Sequence, residues 1–110
     1  MLPSPIEHDP YFLEEVYPEP PLLPAEAGPR AYVRSLAQLI SSDIHPLNNL
    51  SVLAQLDYLS VSEEQKQDWY CHWIEQGFSA FEILLAKHAC NGRYCLGESP
   101  TMADCVLIPQ

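Results

Sequence analysis

Within a single short stretch the chain reads Ile44-His45-Pro46-Leu47-Asn48-Asn49-Leu50, with Ser51 next. An imidazole, two amides and a hydroxyl therefore sit side by side. Asn amides donate to carboxylates, a neutral His offers one donor, and a Ser hydroxyl adds another. Apolar residues lead up to the stretch through Val33, Leu36, Ala37, Ile40 and Ile44. They continue past it through Leu47, Leu50, Leu53 and Ala54. Pro and paired Asn are poor helix residues. A kinked helix, whose freed backbone groups and polar side chains face a ligand, follows from that combination. The structural alternative is that Asn48 and Asn49 merely cap a helix broken at Pro46.

Other groups carry less chemistry. Cys71-His72 with Cys90 and Cys95 invites a zinc site, but no Cys-x-x-Cys pair exists, and structural zinc favours such pairs. Adjacent residues on a helix also point about 100° apart. No metal is expected. Asp104 has the type of a catalytic carboxylate, yet its place three residues after Thr101 reads as a capping pair, so no catalytic residue is assigned. Arg93 is either a contact for an anionic substrate or one half of a surface ion pair. Trp69, Trp73, Phe78 and Phe81 read as core. Glu14, Glu15, Glu63, Glu64 and Asp68 read as solvated faces.

The elements that must position these groups are helical. A first long helix is expected over residues 25–44, from its 3.6-residue apolar period. Pro46 bends or ends it, and a second stretch runs over residues 47–58. Ser62-Glu63-Glu64-Gln65 is a capping box, with Ser62 as N-cap and Gln65 reaching back. It opens a helix with the stripe Tyr70, Trp73, Ile74, Gly77, Phe81, Leu84, Leu85 and His88. Gly77 weakens that helix but permits close approach of a neighbour. Asn91-Gly92 is the expected stop. Thr101-Met102-Ala103-Asp104 is a second capping box, before Cys105, Val106 and Leu107, which read as the start of a buried helix. Residues 1–29 are rich in Pro and acid. Pro18, Pro20, Pro21 and Pro24 bar a continuing helix, residues 11–16 make a turn or two of helix, and Leu22 and Leu23 pack on something. No period-two strand pattern and no internal repeat is present.

Size and charge narrow the function. A chain of 110 residues suits one small domain, and 47% hydrophobic residues suffice for a core. The net charge is −10, with only 5 Lys and Arg. No basic stripe exists to meet a phosphate backbone, which excludes nucleic acid. An anionic membrane surface is disfavoured on the same ground. No apolar run of about 18 residues spans a bilayer, and residues 1–5 have no signal-peptide character. A cytoplasmic chain with four reduced thiols is expected, with two disulfides as the alternative.

Four stretches resemble one family. They are residues 13–24, reading Leu-Glu-Glu-Val-Tyr-Pro-Glu-Pro-Pro-Leu-Leu-Pro, the stretch from Asp43 to Leu50, Trp69-Tyr70-Cys71-His72-Trp73, and Gly92-Arg93-Tyr94-Cys95-Leu96-Gly97 running on through Thr101 to Gln110. Together they resemble the C-terminal domain of the maleylacetoacetate isomerases, the zeta-class glutathione transferases. The resemblance implies an all-α fold: a glutathione transferase C-terminal-type helical bundle, incomplete at its C-terminal end, with a Pro-rich N-terminal linker. Residues 1–24 then read as the tail of a missing thioredoxin-like domain, and residues 25–110 as the truncated helical domain. It implies homodimers, glutathione as cofactor and a small dicarboxylic keto acid as substrate. The reaction implied is cis–trans isomerisation of maleylacetoacetate to fumarylacetoacetate in aromatic amino-acid breakdown. By the same resemblance His45, Asn49, Leu50 and Ser51 line the glutathione side of the cleft, while Thr101, Asp104, Ser62 and Gln65 are structural caps.

The departures from the family are equally specific. The thiol-activating loop of its thioredoxin-like domain has no counterpart here. The Gln-Ser pair that holds the γ-glutamyl end falls near Pro5 and Ile6, which cannot replace it. Many relatives carry Arg where Ser51 stands, so a cationic carboxylate clamp is missing. Three functions compete: a truncated isomerase that is inactive alone, a non-enzymatic helical module that dimerises or binds through a bared apolar face, and a complete small enzyme using Cys71 and His72. Adjacent helical positions disfavour the third.

Overall fold

The computed structural model describes residues 9–88 and 92–109. Pro5, Ile6, Cys90, Asn91 and Gln110 lie outside them. The described chain is built from helices: α1 (Pro10–Val16), α2 (Ala27–Gln38), a π segment (Leu39–Ile44), α3 (His45–Asn48), α4 (Leu50–Tyr58), α5 (Glu63–His88) and α6 (Met102–Leu107).

The first long helix begins at Ala27 rather than at residue 25, and its last six residues are wound as a π-helix. The cause is Pro46. In an α-helix its ring would meet the carbonyl of residue 42. A wider turn just before it relieves that clash. His45 N–H accordingly donates five residues back, to the Ile40 carbonyl. Pro46 then sits in the first turn of α3, where its missing N–H costs nothing. The expected stretch 47–58 is divided: the break falls at Asn49, whose backbone is extended (φ −76°, ψ 167°).

The apolar stripe of α2 and the π segment is the centre of the core. Val33, Leu36, Ala37, Ile40 and Ile44 are all buried there. They face Phe81 and Gly77 of α5, Met102 and Ala103 of α6, and Cys95 from the loop before α6. Each large aliphatic side chain so buried contributes about 1.5–3 kcal/mol. Within α6 it is Met102 and Ala103 that are buried, whereas Cys105 is exposed. Val106 and Leu107 at its end are half-buried and pack against the core.

The Pro-rich segment is docked rather than loose. Asp9 caps α1 by accepting from Tyr11 N–H at 3.0 Å. Glu14, expected on a solvated face, is half-buried and accepts from the N–H groups of Leu22 (2.6 Å) and Leu23 (3.1 Å). Met102 N–H donates to the Leu22 carbonyl at 2.9 Å. That fastens Leu23 into the core beside α6. By contrast, α4 has no buried residue. Leu50 is 86% exposed and Tyr58 81%, so the apolar pattern read through Leu50 does not enter the core. The result is a flat body of 48 × 41 × 20 Å with a radius of gyration of 16.2 Å, against about 13 Å for a compact chain of this size.

Candidate functional site

Where α3 gives way to α4, the chain runs past the N-terminal half of α5. A cleft of about 500 Å³ opens there, lined by His45, Asn48, Asn49, Leu50, Ser51, Tyr70 and Pro109. The fold brings His45, Asn49, Leu50 and Ser51 onto one rim. Two of these also have local duties. Asn49 is the N-cap of α4, its Oδ1 accepting from Val52 N–H at 3.0 Å. The same oxygen accepts from the Ser51 hydroxyl at 2.6 Å, and Asn49 Nδ2 donates to the Pro46 carbonyl at 3.3 Å. Capping and cleft-lining are thus properties of one residue, not alternatives.

Two hydrogen bonds hold the rim against α5. Trp69 Nε1 donates to the Leu47 carbonyl at 2.8 Å, and Asn48 Nδ2 donates to the Tyr70 carbonyl at 3.2 Å. The first satisfies a carbonyl that the end of α3 leaves open. The second leaves Asn48 Oδ1 buried with no hydrogen-bond partner among the described residues. Sequence reasoning missed Tyr70 and Pro109 as cleft residues. Tyr70 stood at the head of the α5 apolar stripe, and that position alone signals packing. The partial burial of Trp69, Trp73 and Phe78 beside buried Phe81 keeps them in the packing layer. Trp69 and Trp73 meet edge to face at 5.8 Å.

The capping pairs lie away from this cleft. Ser62 and Gln65 exchange hydrogen bonds at the start of α5, Ser62 N–H to Gln65 Oε1 at 3.3 Å and Gln65 N–H to Ser62 Oγ at 3.2 Å. Thr101 and Asp104 form the reciprocal box of α6. Asp104 does more: its Oδ1 accepts from Cys95 N–H at 3.0 Å, and its Oδ2 accepts from Thr101 N–H at 2.8 Å and from the Thr101 hydroxyl at 3.0 Å. Burial alone would raise its pKa, but the hydrogen bonds from Thr101 and Cys95 outweigh this and hold it below the ordinary 3.8. Burial first, and then the adjoining Asp104 carboxylate, push the Cys95 thiol up to about 12. A thiol so placed is inert.

The described part of α5 ends at His88, and Asn91 of the expected Asn91-Gly92 stop lies outside the described residues. A Cβ on Gly92 would lie 2.2 Å from the Gly97 carbonyl oxygen. Glycine there allows the loop to close on itself, with Tyr94 N–H donating to Gly97 at 3.1 Å. Arg93 in this loop is exposed.

Among the described residues no three His, Cys, Asp or Glu side chains gather to hold a metal ion. Cys71 is exposed and accepts from Gln67 Nε2 at 3.3 Å, while the His72 ring stands edge-on to Trp73 at 4.7 Å. The two neighbours thus engage different partners, which leaves no nucleophile and base pair. No helix of the described residues is long and apolar enough to cross a membrane.

No protein-family model matches the chain. Individual proteins do. A maleylpyruvate isomerase from a Ralstonia species is 47% identical over 100 residues, covering 90% of this chain and 47% of that protein. Among solved structures, a holo maleylpyruvate isomerase described as a bacterial zeta-class glutathione transferase superposes with a TM-score of 0.85 at 46% identity, covering 90% of this chain and 47% of that one. The matched region is shared with zeta-class glutathione transferases. Its bundle is the helical C-terminal type of that family. A third zeta-class relative, the maleylacetoacetate isomerase of Anaeromyxobacter dehalogenans with glutathione bound in its active site, matches with a TM-score of 0.80 at 37% identity, covering 90% of this chain and 44% of that one. The chain spans about half the length of the curated relatives it matches. Glutathione is the cofactor of the intact zeta-class enzymes.

Proposed function

We propose that this chain supplies the helical wall of a glutathione-dependent cis–trans isomerase acting on a small dicarboxylic keto acid of the maleylacetoacetate or maleylpyruvate type. The observation that carries the reading is the cleft itself. His45, Asn49, Leu50 and Ser51 meet there, in a chain that shares 47% of its aligned residues with a maleylpyruvate isomerase. A cleft of about 500 Å³ has the size of an ordinary small-ligand site. Its polar groups fit glutathione. His45 and Ser51 offer polar atoms at the rim, and the orphaned Asn48 Oδ1 calls for N–H groups of the kind a peptide carries. When bound, glutathione supplies the thiolate that adds to the conjugated double bond and leaves again once the carbon framework has rotated.

In this reading the chain binds and orients but does not activate the thiol. Its described thiols are poor candidates: Cys95 is buried and protonated, and Cys71 and Cys105 lie outside the cleft. Thiol activation belongs to the part of its relatives that the chain does not span. A homodimer and a cytoplasmic setting go with the same proposal.

A chimera tests it. The 110-residue chain is set in place of the matching segment of the Ralstonia maleylpyruvate isomerase, and glutathione-dependent turnover of maleylpyruvate is measured. Turnover is the expected result, and a folded chimera with none overturns the reading.

The second reading, a non-enzymatic interaction module, is favoured by one observation. Leu50, Tyr58, Leu59 and Ile108 are 86%, 81%, 61% and 81% exposed, and apolar surface of that kind marks a contact face. Sedimentation of the 110-residue chain checks it. Self-association supports it, and a folded monomer that stays monomeric at high concentration argues against it.

A further inference from the structure

We propose that Tyr70 determines specificity in this cleft, its phenol hydroxyl donating to a carboxylate or keto oxygen of the dicarboxylic acid. This rests on the isomerase reading above and adds a residue to it. Each of the other polar side chains lining the cleft already has an interaction within the chain. Asn49 gives one of its two amide N–H groups to the Pro46 carbonyl, and the one proton of the Ser51 hydroxyl goes to Asn49 Oδ1. Asn48 likewise gives one of its two amide N–H groups to the Tyr70 carbonyl. Leu50 and Pro109 have no side-chain donor, and His45 already has an interaction of its own within the chain. No Lys or Arg lines the cleft, so an acidic ligand meets no cation from this wall. Tyr70 lines the same cleft, and its hydroxyl makes no hydrogen bond to any described residue.

Tyr70 is also held in place. The consecutive residues Trp69 and Tyr70 are tied to the consecutive residues Leu47 and Asn48 by the bonds at 2.8 Å and 3.2 Å. The backbone carrying the phenol is therefore fixed relative to the rim. A hydrogen bond to a charged acceptor from a preorganised donor is worth more than one between neutral groups.

Tyr70→Phe in the Ralstonia chimera removes the hydroxyl and keeps the ring. The expected result is a KM for maleylpyruvate raised about tenfold, with the KM for glutathione and the melting temperature unchanged. Tyr58→Phe, at an exposed tyrosine outside the cleft, changes neither constant. A Tyr70→Phe chimera with an unaltered KM for maleylpyruvate overturns the assignment, as does one in which only the KM for glutathione rises. An inactive parent chimera refutes the isomerase reading instead. Tyr70 is then judged on the 110-residue chain with ¹³C-labelled tyrosine rings, titrated with sodium malonate. A shift of the Tyr70 resonance, absent in Tyr70→Phe, sustains the assignment, and no shift overturns it.

Discussion

A Cβ built on Gly77 would lie 2.2 Å from Cγ1 of Ile44, a side chain with no exposed surface. Helix α5 and the π segment therefore touch backbone to side chain at this point. Ile44 cannot swing aside, because it is packed into the core. Gly77→Ala gains about 1 kcal/mol of helix propensity but overpacks the contact at about 1–3 kcal/mol. Overpacking wins, and the variant is expected to lose about 1 kcal/mol of stability in urea denaturation, within a range of about 0–2 kcal/mol. Pairing it with Ile44→Ala is expected to cost less than the two single losses added. Additive losses would show that the close approach has no energetic weight.

This contact also shows what could be read in advance. Gly77 on the apolar stripe signalled close approach, and the stripe Val33, Leu36, Ala37, Ile40, Ile44 identified the buried face, because helical period and burial are set by the same geometry. The two capping boxes were legible because side chain and backbone partner are three residues apart. Apart from the π turn before Pro46, what escaped was non-local. The π turn depends on where a Pro46 ring meets a carbonyl four residues earlier. Glu14 finds its donors eight and nine residues away, at Leu22 and Leu23. Leu50, read as part of the continuing apolar pattern, is exposed, because the break at Asn49 resets the helical phase. Tyr70 joined the cleft only through the packing of α5 on α3, which no local pattern encodes.

Asp104 gives a pH dependence. Its carboxyl titrates below 3.8 in the folded chain and near 3.8 when unfolded. The unfolded state therefore takes up the proton first as pH falls. Its contribution is complete above about pH 5 and is lost as pH drops through 3.8 toward the lower folded value. Asp104→Ala is expected to cost about 2 kcal/mol at pH 7. The gap between wild type and variant should close in melts below pH 4. A gap that is constant from pH 7 to pH 3 would remove the carboxylate from the account.

Cys95 gives the opposite limb. The thiol titrates at about 12 when folded and near 9 when unfolded. Between these values the folded state holds the proton longer, so stability falls as pH rises. In the native chain at pH 8, iodoacetamide is expected to modify exposed Cys71 and Cys105 and to spare Cys95 until denaturant is added. Mass spectrometry of the peptides reads the order directly. Native labelling of Cys95 at the rate of Cys71 would contradict its burial.

Trp69→Phe tests the tie between α5 and the rim. It keeps an aromatic ring and removes the indole N–H that serves the Leu47 carbonyl at 2.8 Å. A loss of about 1–2 kcal/mol is expected, with faster amide exchange concentrated at residues 45–52. Uniformly faster exchange across α2 and α5 would mean that the ring's packing, not its hydrogen bond, is what matters.

Asn49 separates capping from ligand contact, because its two amide atoms do different jobs. Asn49 Oδ1 caps α4 through Val52 N–H, and Nδ2 donates to the Pro46 carbonyl. Asn49→Ala removes both and is expected to cost about 1 kcal/mol, with α4 fraying in hydrogen exchange. Asn49→Asp keeps the acceptor and loses the donor, so the cap survives and the helix stays protected. It also places a negative charge in a cleft with no cation among its lining residues. In the Ralstonia chimera that charge is expected to weaken binding of the dicarboxylic acid while α4 remains folded. If Asn49→Asp and Asn49→Ala fray α4 equally, the oxygen is not the cap. If Asn49→Asp leaves every kinetic constant unchanged, the residue caps its helix and has no part in holding the acid.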